Sequence, residues 1–150
     1  MGDTVAGNGN ASPFLRFGRR RRWDGREAYE ISKEWVTNRI QFGQSISKFQ
    51  AIQFRFAEML TEITASRLLV WHSAHNVDAD KETGTFSATA KYYATDTAMQ
   101  VATDAVQMMG GEGYSQENIV EKIMRDAKLS QIYEGTNQVQ RYVIGKNIFK

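Results

Sequence analysis

Cysteine is absent from the 150 residues, which excludes disulfides and thiolate metal sites and leaves no sign of an oxidising compartment. Proline occurs once, at Pro13, so almost nothing along the chain forbids helix. No apolar run approaches the roughly 20 residues that a bilayer crossing needs, and a soluble, intracellular protein is expected. Period-two alternation is nearly missing too, which argues against a sheet.

Glycine and charge are concentrated at the head. Residues 1–25 carry five of the twelve glycines, and residues 1–26 carry six Arg against two Asp, so a head of +4 precedes a remainder of −2. Residues 1–25 are therefore expected to be a flexible leader, and 26–150 a single domain large enough for a real core. Arg19–Arg22 lacks interleaved aromatics, so a solvated tail or a chain junction is favoured over nucleic-acid binding.

What is abundant is helical spacing. Between Gly43 and Gly84 there is neither Gly nor Pro, and Ile46, Phe49, Ile52, Phe56, Met59, Ile63 and Val70 fall mostly three or four apart, which predicts one long helix. Phe86, Ala90, Tyr93, Thr97, Val101, Ala105 and Met108 predict a second, stopped by Gly110-Gly111. Helices at about 27–39 and 136–149 bracket these two, and shorter helical turns are expected near 117–130. The fold class is all-α, an antiparallel up-and-down four-helix bundle.

Chemistry concentrates in Gln131-Ile-Tyr-Glu-Gly-Thr-Asn-Gln-Val-Gln-Arg141. Ile132 and Tyr133 are expected to shield Glu134 from water, which would raise its pKa towards the range of a useful base. Gly135 allows a sharp turn and close ligand approach. Thr136 is a good N-cap for a helix whose unpaired N–H groups would face the loop. On spacing alone, a surface Glu followed by a helix-capping Thr is the favoured account of the segment.

The run resembles the active-site segment of the acyl-CoA dehydrogenases, flavoenzymes that desaturate acyl-CoA thioesters; Tyr-Glu-Gly-Thr is specific to much of that family. Three further stretches resemble the family in order: Arg39-Ile-Gln-Phe-Gly43, Gln107-Met-Met-Gly-Gly-Glu-Gly-Tyr114 and Met124-Arg-Asp-Ala-Lys128. The resemblance runs from about residue 26 to the end and implies the family's C-terminal helical domain, without its N-terminal helical and middle β-domains. It implies Glu134 as the catalytic base and FAD as cofactor. Arg39 would meet the FAD pyrophosphate, Phe42 and Gln50 would contact the cofactor, and Gln107, Gly110 and Gly111 would approach its nucleotide part across a subunit interface. Thr136 and Gln138 would touch flavin or pyrophosphate, while Tyr133 and Gly135 would line the acyl-CoA thioester site. Electron-transfer flavoprotein is the implied acceptor, a homo-oligomer (dimer or tetramer) the implied assembly, and bacterial cytoplasm or mitochondrial matrix the implied location.

The resemblance breaks at one place. The family's acyl-CoA-binding Asp and Arg precede the Arg-x-x-Phe-Gly signature, whereas Ser12-Pro-Phe-Leu-Arg-Phe-Gly-Arg19 has no Asp. The competing reading is an isolated, non-catalytic bundle that self-associates. Arg125 and Asp126 are read as orienting the catalytic segment, or as an ion pair. His72 and His75 lack a partnered Glu-x-x-His pattern, so no metal is expected.

Overall fold

A computed structural model describes residues 25–81 and 84–150. The expected leader, residues 1–25, lies outside them except for Gly25. Six helices follow among the described residues: α1 (Arg26–Asn38), α2 (Gln50–Asp78), α3 (Thr85–Met109), α4 (Gly111–Tyr114), α5 (Ile119–Ser130) and α6 (Asn137–Ile148). The all-α architecture follows, with α2 and α3 as a long helical hairpin.

The central element is α3, which packs against α1, α2, α5 and α6. Its composition explains why. Ala88, Ala90, Ala94, Ala98, Ala102 and Ala105 are all buried, and such small side chains let neighbouring helices approach closely and fill the space with larger groups of their own. Met59 and Ile63 from α2, Tyr29 from α1, Val120 and Ala127 from α5 pack there with Val101 and Met109. Each fully buried Met or Ile contributes about 1.5–3 kcal/mol by leaving water. Ala90 and Ala94 form a second cluster with Leu69, Val70, Ala74 and Val77.

Two expectations change in detail. The glycine-free stretch after Gly43 is not helical from its start, because Phe42 and Gly43 adopt φ of 53° and 77°. Two consecutive left-handed residues make a tight hairpin turn, and β1 (Ile40–Gln41) pairs antiparallel with β2 (Gln44–Ser45) around it. A 3-10 turn over Ile46–Lys48 then leads into α2. Ser45 Oγ lies 3.0 and 2.9 Å from the carbonyls of Val36 and Thr37, so the hairpin answers the open carbonyls at the end of α1. The second change is α5, a full twelve-residue helix where only short turns were expected; it is as long as α6.

Among the described residues no helix is long and apolar enough to cross a membrane. His72 meets the edge of Phe86 at 5.1 Å, and its Nε2 lies 3.2 Å from Asn76 Nδ2.

Candidate active site

The segment between α5 and α6 is a tight loop with two left-handed residues in succession, Glu134 at φ 55° and Gly135 at φ 84°. Glycine adopts such a φ freely, whereas an ordinary L-residue is strained there by about 1–2 kcal/mol. At Gly135 space is also short, since a Cβ would lie 2.8 Å from Gln140 Nε2. Thr136 is the N-cap of α6, as expected, and its Oγ1 accepts from Val139 N at 3.3 Å.

The loop is closed and anchored by polar contacts. Asn137 N donates to the Gln131 carbonyl at 3.1 Å, joining its two ends. Gln140 Nε2 donates to the Glu134 and Gly135 carbonyls at 3.1 and 3.2 Å. From α3, Lys91 Nζ donates to the Gly135 carbonyl at 2.9 Å and to Asn137 Oδ1 at 2.7 Å. Asp96 Oδ1 accepts from Gln131 Nε2 at 2.7 Å, and Asp96 Oδ2 from Arg141 Nη2 at 2.7 Å. Arg141 also lies over the Tyr92 ring, 4.6 Å from its centroid.

Lys91 is 2 % exposed and Asn137 3 %. Burial pushes the Lys91 ammonium below the usual lysine range, against the opposing charges of Asp96 and Glu134. Tyr133, half-buried, has its hydroxyl pushed up to about 12, first by burial and then by the Glu134 charge.

Two expectations about this segment are corrected. Glu134 is exposed and Ile132 is 52 % exposed, so the two preceding residues do not shield the carboxylate. The cause is conformational: with Glu134 in the left-handed region and Ile132 facing outward, the apolar pair does not fold over the acid. Nor do Arg125 and Asp126 orient the loop. Arg125 pairs with Glu121 one turn back at 2.8 Å, and Asp126 pairs with Lys122, both along the surface of α5. Lys91, Thr95, Asp96 and Asn137 take that part, and the sequence reading passed them over. A signal existed: Lys91 and Asp96 are the two formal charges set among the alanines and threonines of residues 88–98.

The other predicted residues lie elsewhere. Arg39 caps the C-terminus of α1 and is exposed; Phe42 is 91 % exposed, its ring meeting Phe49 edge-on at 6.1 Å; Gln50 opens α2 and is exposed. Gln107 is exposed in the last turn of α3, and Gly110 ends that helix at φ 65°. Arg55 in the second turn of α2 reaches Asp104 at 2.6 Å, so the start of α2 and the end of α3 lie together. Gln138 stands exposed in the first turn of α6, beside Thr136 and Glu134. The predicted set thus forms two groups within one chain. Sixteen residues of α3 separate Lys91, under the Glu134 loop, from Gln107, about 24 Å along a helix axis.

A family model described as the acyl-CoA dehydrogenase C-terminal domain matches residues 18–149. A probable acyl-CoA dehydrogenase, FadE25 of Mycobacterium tuberculosis, is 45 % identical over 124 residues, which is 82 % of this chain and 32 % of the relative. The solved butyryl-CoA dehydrogenase of Megasphaera elsdenii matches with a TM-score of 0.82 and 44 % identity, over 84 % of this chain and 33 % of that one. A chain from the solved electron transferring flavoprotein of Acidaminococcus fermentans, a study directed at flavin-based electron bifurcation, matches with a TM-score of 0.82 and 46 % identity, again over 84 % and 33 %. The chain spans about a third of the length of the relatives it matches.

Proposed function

The chain belongs to the acyl-CoA dehydrogenase family by its match over residues 18–149, and we propose that it supplies the base of an FAD-dependent α,β-desaturation of an acyl-CoA thioester, with Glu134 as that base. One observation carries the reading: the family's Tyr-Glu-Gly-Thr tetrad occupies a loop held rigidly on α3, with its carboxylate outward and available to a ligand. The shelter that its sequence neighbours do not give would come from the bound acyl chain and flavin ring, whose apolar surfaces would exclude water on binding.

Glu134 takes the proton from the carbon next to the thioester carbonyl. That proton is too weakly acidic for a carboxylate unless negative charge developing on the carbonyl oxygen is stabilised. The Glu134 backbone N–H has no hydrogen-bond acceptor among the described residues and can donate to that oxygen. A placed base contributes about 10²- to 10⁴-fold, and alignment of the reactants must supply much of the remainder.

The residues present fit FAD. Gly110 and Gly111 have open space where a Cβ would point, so the backbone there can be approached closely. Phe42 offers an exposed ring, Arg39 an exposed guanidinium, and α6 a capped N-terminus with Gln138 exposed on it. Thr136 and Gln138, beside the Glu134 loop, would hold the cofactor, and Arg39, Phe42, Gln50, Gln107, Gly110 and Gly111, grouped at the other end of α3, would hold it from another copy of the chain. The bound cofactor would supply the hydride acceptor for the β-hydrogen. The roughly 24 Å between the two groups supports their serving different subunits. Tyr133 and Gly135 would line the thioester site, and an electron-transfer flavoprotein would be the acceptor, a reading in keeping with the likeness to a chain described as an electron transferring flavoprotein.

Self-association has its own support. Leu60, Leu68 and Trp71 are exposed on one face of α2, beside a groove of about 280 Å³ between α1 and α2 that does not include the Glu134 loop. Light scattering that gives a monomer at micromolar concentration would remove the oligomer.

Catalysis is tested by reconstituting the purified chain with FAD and adding acyl-CoA without oxygen. Loss of flavin absorbance is expected, and Glu134→Gln should abolish it while leaving flavin bound. Bleaching by the Gln variant at the wild-type rate rejects Glu134 as the base.

A further inference from the structure

Lys91 is the one buried lysine among the described residues, and a buried ammonium is costly unless it is well placed. Nothing in the bundle's core requires a charge at this point of α3. The side chains one turn either side of it, Ala88 and Thr95, are small and buried, so this face of α3 offers no reason of its own for a charge. The ammonium instead ends on two acceptors forty-four and forty-six residues away, the Gly135 carbonyl and Asn137 Oδ1.

The two acceptors bracket Thr136 and lie one and three residues after Glu134. The Asn137 amide is used completely in the same cluster: Nδ2 donates to Asp96 Oδ1 at 2.6 Å and to Thr95 Oγ1 at 2.9 Å, while Oδ1 receives Lys91. With Gln131 Nε2 donating to Asp96 Oδ1 on the other side, one turn and a half of α3 grips the loop both before and after the strained pair Glu134-Gly135.

We propose that Lys91 is a positioning residue for the candidate base: its ammonium holds the Gly135 carbonyl and Asn137 in place and thereby keeps Glu134 in its left-handed conformation. The inference deepens the desaturation reading and rests on it for the role of Glu134. Its physical content is independent of turnover. A left-handed glutamate costs about 1–2 kcal/mol, and the loop would relax unless surrounding contacts opposed it. Charge-assisted bonds from a buried ammonium to that carbonyl and to the buried Asn137 amide are strong enough to do so. Gln140 acts on the Gly135 carbonyl too, and on that of Glu134, from the exposed side, where water competes with it.

The chain's lack of cysteine allows a specific test. Lys91→Cys, alkylated in the unfolded state and refolded, can carry either an S-aminoethyl group, which restores an ammonium at nearly the lysine length, or an S-propyl group of similar size without charge. Amide exchange is then followed by mass spectrometry over residues 131–141 and over α2. In the S-propyl chain the 131–141 segment should exchange about tenfold faster while α2 is unchanged, and the S-aminoethyl chain should return to the wild-type rate. Equal exchange in both alkylated chains, or acceleration spread evenly over α2 and the loop, would show that Lys91 only fills space or supports the fold, and would overturn the proposal. If the S-propyl chain does not fold, Lys91→Gln, with neither charge nor reach, replaces it under the same criteria. Flavin bleaching in the wild-type chain is scored separately, so failure of the desaturation reading leaves the exchange result standing.

Discussion

Asn137 Nδ2 donates to Asp96 Oδ1 at 2.6 Å, fixing the first residue of α6 to the middle of α3 through a side chain that is itself buried. The contact decides where α6 starts and hence where the loop before it must turn. Asn137→Leu keeps the branched shape but takes one partner each from Lys91 Nζ, Thr95 Oγ1 and Asp96 Oδ1, which retain the Gly135 carbonyl, the Lys91 carbonyl and Gln131 Nε2. A loss of about 2–4 kcal/mol is expected, read as a lower urea midpoint at unchanged slope. An unchanged midpoint would show that water replaces the amide without cost.

A second tie joins the opposite end of the bundle. Arg55 Nη2 lies 2.6 Å from Asp104 Oδ1, and Gln100 Nε2 lies within 3.2 Å of both Asp104 oxygens. Asp104 is largely buried, whereas Arg55 is about a third exposed, so water screens part of the attraction. Asp104→Asn should cost about 1–2 kcal/mol by thermal unfolding, less than a fully buried pair would. The partner variant Arg55→Gln should cost more, because it leaves the more deeply buried carboxylate without its cation.

Alkaline stability should carry two opposed signatures. Lys91 has a folded pKa below its ordinary 10.5, so between that folded value and 10.5 the unfolded chain binds more protons and stability rises with pH. Tyr93 is held near 12, chiefly by its hydrogen bond to Glu62 at 2.6 Å, against an ordinary value of 10. Its contribution is complete below pH 10 and is lost as pH climbs through 12. Urea titrations from pH 8 to 12 should show Lys91→Met flattening the rise and Tyr93→Phe removing part of the fall. Slopes, not absolute values, carry the test, since both substitutions also remove bonds.

Which parts of this were legible beforehand follows from where the information sits. The helices were readable because the spacing of Met59, Ile63, Val101 and Ala105 states which face is buried. The stops at Gly110 and the cap at Thr136 were readable because each acts within its own turn. The hairpin after Arg39 was hidden because its turn places Phe42, not a habitual turn residue, at φ 53°, a conformation set by what surrounds it. The anchoring cluster was hidden for a different reason. Lys91 and Asn137 meet only after two helices and a loop have folded, and no local pattern encodes a contact across forty-six residues. The exposure of Glu134 is invisible in the sequence because residues adjacent along the chain, Ile132 and Tyr133, need not be adjacent to its carboxylate in space.

Glu134 offers the sharpest test of whether the loop is built for stability or for chemistry. Its φ of 55° suits glycine, and the structure shows no ion pair of its carboxylate among the described residues that would repay the strain. Replacement by glycine removes the steric cost of about 1–2 kcal/mol and adds back up to about 1 kcal/mol of unfolded-state entropy. Glu134→Gly should therefore leave the melting temperature unchanged or raise it by a few degrees, while abolishing acyl-CoA-dependent bleaching of bound flavin. A clear drop in melting temperature would mean that the glutamate side chain holds the loop together, and its place in the sequence would then have a structural explanation in place of a catalytic one.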